Sequence, residues 1–176
     1  MNRSEIEIVL NRDRAWLLET LSAMPAEELM RGVTQSQHDP ESQWSYADHF
    51  IHTYLIEKRW NAMFRAHLDG IPNAVGIGRS DDGKSQTREE LMAGIHAWTE
   101  DWAKKNRGKP LDELVALSQA TRSETLELLS SLTDEQLQSK IPGAPWADGT
   151  VGGIMAANAG HGRTHFGYAK EGAASA

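Results

Sequence analysis

Residues 4–23, Ser4-Glu-Ile-Glu-Ile-Val-Leu-Asn-Arg-Asp-Arg-Ala-Trp-Leu-Leu-Glu-Thr-Leu-Ser-Ala23, decide the fold class. Ile6, Val9, Leu10, Leu17 and Leu21 recur at steps of three and four, with Asp13 as a polar interruption. This spacing lays an apolar stripe along one side of an α-helix; a strand would need alternation every second residue. Ser4 stands ahead of the run with Glu7 three residues on, the pattern of a capping box. A helix is expected over 4–23.

Reading outward, Pro25-Ala-Glu-Glu-Leu29 has the look of a short helical turn with proline near its start. Residues 32–43 are a polar loop. Trp44 or Ser45 opens a second long helix, about 45–69, closed by Asp69-Gly70 with Pro72 just beyond. The stretch 70–86 holds Gly70, Pro72, Gly76, Gly78 and Gly83 and few apolar residues, which predicts a long loop whose 71–86 part serves as a mobile flap. Thr87 with Glu90 is a second capping box and starts a helix over about 88–106. Gly108 and Pro110 break it. A further helix over about 110–132 carries Leu111, Leu114, Val115, Leu117, Ala120, Leu126 and Leu129. After a turn at 133–137 and a loop at 139–149, Thr150 caps a last helix over about 150–170. No stretch alternates long enough for a strand. The expected class is all-α: a four-helix bundle with extra short helices and a long loop between its second and third helices. It forms a single domain over 1–171, followed by a disordered tail at 172–176.

A weak internal repeat supports a bundle. Leu21-Ser-Ala-Met-Pro-Ala-Glu-Glu-Leu29 aligns with Leu129-Ser-Ser-Leu-Thr-Asp-Glu-Gln-Leu137. Each copy ends a long helix, makes a short turn and leads past a tryptophan, Trp44 or Trp146, into another long helix. Two such halves related by a pseudo-twofold would set the second and last long helices side by side.

Composition narrows the function. The chain has 176 residues, with 25 acids against 18 bases and a net charge of −7. A general nucleic-acid binder or a binder of anionic membranes needs the opposite field. No apolar run approaches the length of a membrane span. The first residues, Met1-Asn-Arg-Ser-Glu-Ile-Glu7, turn acidic where a secretory signal is apolar, so a cytoplasmic protein is expected. Cysteine is absent, which removes disulfides, thiolate metal sites and a cysteine nucleophile.

The seven histidines carry the chemistry. In His161-Gly-Arg-Thr-His165 two imidazoles lie four residues apart on one helical face, close enough to share an ion. The preceding Val151-Gly-Gly-Ile-Met-Ala-Ala-Asn-Ala-Gly160 is built of small residues, which lets a neighbouring helix approach. The second long helix offers His49 and His52 as a third ligand, three residues apart and both able to face partly inward. As structural residues, His52 would be a hydrogen-bonded core histidine and His49 a solvated one. His38, His67 and His96 lack partners at ligand spacing and are assigned to the surface or loops. Trp98 and Trp102, four apart, and Trp60 serve the core or an interface, or line a pocket for an apolar substrate under the flap. Arg163 points away from both neighbouring histidines and reads as a surface cation.

At these residues the chain resembles the DinB-like four-helix-bundle proteins. Trp44-Ser-Tyr-Ala-Asp-His-Phe-Ile-His52 is similar to the segment that opens their second helix, where a metal-binding histidine follows the tryptophan by eight residues. The resemblance sets that histidine on His52, not His49. Two histidines four apart in the family's last helix match His161 and His165, and Thr150-Val-Gly-Gly-Ile154 and Leu132-Thr-Asp-Glu-Gln-Leu137 resemble the adjoining segments. Thr164 and Tyr168 stand where many relatives carry a further histidine and a glutamine. Trp98-Thr-Glu-Asp-Trp-Ala-Lys-Lys-Asn106 and Leu111-Asp-Glu-Leu114 look more like the ClbS/DfsB branch. The resemblance implies a divalent metal, zinc or nickel, on His52, His161 and His165. It implies a metal-dependent hydrolase or a thiol-dependent transferase or isomerase acting on a small molecule, in a homodimer. Through the ClbS/DfsB branch it implies instead a metal-free protective protein acting on a reactive metabolite; a non-catalytic dimeric helical module is the remaining alternative. Around such a metal, Asp48, one turn before His52, would orient it; as a structural residue it is a first-turn acid favoured by the helix dipole. Glu57, about 140° around the helix from His52, would serve a neighbouring helix.

Overall fold

Asn2, not Ser4, caps the first helix. Its side chain accepts from Glu5 N while the Glu5 carboxylate accepts from Asn2 N, so the capping box sits two residues earlier than expected. The structure is a computed structural model that describes residues 1–76 and 87–175. Helix α1 (Arg3–Ser22) buries Ile6, Leu10, Asp13, Leu17 and Leu21, the stripe expected from their spacing. Helix α2 (Ala26–Met30) follows. Within the polar loop a two-residue ladder forms where none was expected: β1 (Thr34–Gln35) pairs antiparallel with β2 (Gln43–Trp44), in register Thr34 with Trp44. Two residues per strand are too few to show an alternation.

Helix α3 (Tyr46–Leu68) is capped by Ser45, whose hydroxyl accepts from Asp48 N. It is buried on nearly every side, as befits a helix with neighbours all round. Helix α4 (Arg88–Asn106) starts at the expected Thr87–Glu90 box. Helices α5 (Leu111–Ser131), α6 (Asp134–Gln138) and α7 (Val151–Ser175) complete the chain. The four bundle helices are α1, α3, α5 and α7: α1 packs on α5 and α7, and α3 packs on the same two. The connection between the second and third bundle helices is therefore more than a loop, because it carries the full-length helix α4 against the outside of α3. The part of the expected flap at 77–86 lies outside the described residues. Helix α7 runs to Ser175, so Gly172 to Ser175 are helical where a frayed tail was expected.

The two halves correspond. Each runs from a long helix through a five-residue helix and an antiparallel contact into a second long helix. The contact is the β1–β2 ladder in one half and the single bridge between Lys140 and Thr150 in the other. Helices α3 and α7 pack side by side.

The core is not one apolar mass. One cluster gathers Ile6, Leu10, Trp60, Phe64, Leu129, Val151, Ile154 and Met155 at one end of the bundle. A second gathers Leu17, Leu21, Phe50, Ile51, Tyr54, Leu114 and Ala169 at the other. Between them runs a polar layer. Helix α5 was expected to present leucines along its length, yet Leu117 is exposed and the buried middle of the helix is Ser118, Thr121, Arg122 and Thr125. The reason is Glu57 on α3. Arg122 donates to both its oxygens at 2.7 and 3.0 Å, and Thr125 donates to it at 2.6 Å. Arg122 also donates to Leu10 O of α1 at 2.6 Å. A buried carboxylate is tolerable only with such a complete set of donors. Among the described residues, no helix is long and apolar enough to cross a membrane.

Candidate metal centre

The other side of that polar layer is made of imidazoles. Close packing of α3 on α7 brings His52, His161 and His165 together, with one ring nitrogen from each lying within 4.8 Å of the others. Ring centroids are 4.3 Å apart for His52 and His165, 4.6 Å for His161 and His165, and 5.3 Å for His52 and His161. On another side of α7 its small residues admit α1. A Cβ on Gly162, between the two histidines, would lie 2.7 Å from Leu17 Cδ2 of α1.

His52 is not the hydrogen-bonded core histidine of the structural alternative: its Nδ1 is buried without a partner, and so is His161 Nδ1. His49 is not solvated either. It is buried, its Nε2 lies 2.7 Å from Thr34 Oγ1, and its Nδ1 lies 3.1 Å from His165 Nδ1. Burial pushes His52 down to about 3, with His161 and His49 adding to the shift. It pushes His49 and His161 to about 4, the nearby Glu57 opposing the shift at His161. His165 falls well below the ordinary imidazole range, through burial first and then its histidine neighbours. The rings are therefore neutral at physiological pH, the form in which imidazole ligates a metal. Three neutral imidazoles from two helices suit zinc, nickel or another borderline divalent ion.

The site opens on a cavity of about 450 Å³ between α3, α7, α4 and the β1 segment. Its apolar walls are Trp44, Trp60, Trp146, Ile56, Met92 and Ile95, with Tyr168 at one side. Gln35, Gln37, Arg59 and His96 supply polar groups. Trp60 stacks on His161 at 5.8 Å between centroids, and Trp44 lies 5.4 Å from His49 and 5.5 Å from His52. Trp44 is itself fixed, donating from Nε1 to the buried Glu100 at 2.6 Å.

Several expected roles move. Asp48 does not orient His52; it accepts from Ser45 N and Ser45 Oγ, both at 2.9 Å, and from Arg107 Nε at 3.3 Å. Glu57 turns to α5, as described above. Trp98 and Trp102 are not among the cavity walls; Trp98 is partly exposed under the Arg59 guanidinium, and Trp102 packs by Tyr54. The wall tryptophans are Trp44, Trp60 and Trp146. His96, assigned to the surface, is half-buried in the wall. His67 is tied to Ser139 Oγ. Arg163 donates to Asp13 at 2.8 Å and lies 4.0 Å over the Trp16 ring. The tryptophan that follows each short helix, noted only as part of the repeat, was the available signal for Trp146.

The comparisons agree with this architecture. A sequence profile of the DinB superfamily matches residues 12–169. The chain belongs to the DinB superfamily. Among solved structures it is similar to an uncharacterised protein from Escherichia coli UTI89, with a TM-score of 0.62 and 16% identity. That match covers 99% of this chain and 94% of the other, and at such identity it speaks for the fold alone. No curated protein matches the chain.

Proposed function

We propose that this protein holds one divalent transition-metal ion on His52, His161 and His165 and uses it in hydrolysis, or in transfer of a thiol, on a small molecule seated in the adjoining cavity. The observation that carries the reading is the convergence of three neutral imidazole nitrogens within 4.8 Å at the floor of an aromatic-lined cavity. Bound there, a divalent ion supplies Lewis acidity and lowers the pKa of a water or thiol that it ligates. The chain's own residues do the rest. Trp44 and Trp60 hold the histidine rings by contact and give an apolar body flat faces to lie on. Gln35, Gln37 and Arg59 offer hydrogen bonds and one positive charge to the polar end of such a molecule.

The test is metal analysis of protein purified without a histidine tag. About one equivalent of metal is expected, lost in His161→Ala with the helical circular dichroism retained. Metal-free protein that also fails to take up added zinc or nickel would remove the proposal.

A further inference from the structure

His49 fell outside the three-histidine set, yet it makes the only ring-to-ring hydrogen bond recorded among the described histidines. The two contacts of its ring determine what His165 can do. Along Thr34 Oγ1, His49 Nε2, His49 Nδ1 and His165 Nδ1 the spacings are 2.7 Å and 3.1 Å, so both ends of the His49 ring are engaged. Two neutral rings can share one nitrogen-to-nitrogen hydrogen bond in only two ways. In the first, His49 Nδ1–H donates to His165 Nδ1. The His165 proton then sits on Nε2, and that nitrogen cannot ligate. In the second, His165 Nδ1–H donates to His49 Nδ1, leaving His165 Nε2 with a free lone pair. His49 then carries its proton on Nε2 and donates it to Thr34 Oγ1, an oxygen that is in place to accept.

We infer that Thr34 and His49 are positioning residues that hold His165 in its Nδ1–H tautomer and so present His165 Nε2 as a metal ligand. This rests on the metal reading given above. Metal-ligating histidines usually donate their second N–H to a carboxylate, a backbone carbonyl or water. Here that place is taken by a neutral imidazole anchored on β1. The nearby carboxylates among the described residues are engaged elsewhere: Asp48 caps α3, Glu57 is bound by Arg122, and Glu100 accepts from Trp44 through one oxygen. The arrangement fixes the ring without setting a carboxylate directly against it. It also gives the β1–β2 ladder a purpose, since pairing Thr34 with Trp44 holds together the residue that ends the relay and the indole that packs on His49 and His52.

The experiment measures zinc affinity by chelator competition and reads the imidazole nitrogens by long-range ¹⁵N–¹H spectra, in unmodified protein, His49→Leu, His49→Asn and Thr34→Val. Removing a partner of this kind costs about 10- to 100-fold in affinity. His49→Leu is expected to bind one zinc that much more weakly. His49→Asn, whose side-chain oxygen can accept at the δ position, should recover part of the loss, and Thr34→Val should show a smaller one. In the zinc-loaded protein His165 should carry its proton on Nδ1. If His49→Leu does not fold, His49→Asn and Thr34→Val carry the test. Unchanged affinity in the variants, or a His165 proton on Nε2 in the loaded protein, overturns the relay and leaves the metal site standing. Unmodified protein that binds neither zinc nor nickel overturns both.

Discussion

At the scale of single residues, the molecule's least comfortable choice is to group four imidazoles, one buried and three half-buried. His49, His52, His161 and His165 all stay neutral far below the pH at which a free imidazole takes up a proton. The sign of the consequence follows. An unfolded histidine protonates near pH 6.5. Below that value the unfolded chain binds more protons than the folded one, so stability falls as pH falls. The histidine contribution is full above about pH 6.5 and is lost progressively toward the folded values of about 3 to 4. Each ring that stays neutral costs at most about 1.4 kcal/mol per pH unit across that window. Thermal unfolding of metal-free protein should therefore show its midpoint dropping steeply between pH 6.5 and 4.5, with uptake of more than one proton. A midpoint flat across that range would contradict the burial described here. Much of this site could be read from the chain alone. The four-residue step from His161 to His165 and the pair on α3 were visible as spacings. What spacing could not give was the direction of His49, because two residues three apart on a helix can both face a neighbour. The hydroxyl that captures His49 comes from a ladder too short to leave a pattern.

At the scale of elements, α7 shows how one residue type serves opposite ends. It carries glycine at positions 152, 153, 160, 162, 167 and 172. A Cβ at Gly160 or Gly167 would meet nothing within 4 Å, whereas at Gly172 it would lie 2.2 Å from Val33 O, a backbone atom beside β1. The same substitution should then act with opposite signs. Gly160→Ala and Gly167→Ala gain the helix propensity of alanine, about 0.5–1 kcal/mol each. Gly172→Ala must push the end of α7 away from β1 and should lower the melting temperature, by an amount that the gain in propensity does not offset. Differential scanning calorimetry of the three variants decides it; a stabilised Gly172→Ala would mean that the two elements do not touch. Helix limits were legible wherever a cap announced them, as at Ser45, Thr87 and Thr150. They were misplaced where two candidate caps stood close together: Asn2 with Glu5 and Ser4 with Glu7 offer the same chemistry two residues apart. The apolar pattern of α5 was misleading for a different reason. Its buried stripe is set by the carboxylate of Glu57 on another helix, and no local pattern reports that.

At the scale of the whole molecule, the polar layer and the cavity have a common origin. The bundle closes at both ends on apolar clusters, and its middle is given to Asp13, Glu57, Arg122, His161 and His165. On the α5 side that layer is sealed by ion pairing; on the α4 side it opens to the cavity. The sequence announced a helix at 88–106 but not its place outside the four-helix ring, since a helix packed on one bundle helix has the same periodicity as one packed between two. That placement has a consequence for motion. The C-terminal half of α4 is pinned by Glu100 to Trp44, Lys104 to Asp39 and Arg107 to Asp48. The N-terminal half has no such link among the described residues. It supplies Met92, Ile95 and His96 to the cavity wall, and its Leu91 and Ile95 join Trp60 and Met63 of α3 in one apolar cluster. Local openings draw on segments with few buried contacts. Amides of 91–96 should therefore exchange faster than those of 100–106, and both faster than the middle of α3, in native-state hydrogen exchange followed by mass spectrometry. Uniform protection along α4 at the level of α3 would mean that the wall is as rigid as the bundle. The expected gradient would instead make the N-terminal half of α4 the more mobile wall of the cavity, facing histidines held on α3 and α7.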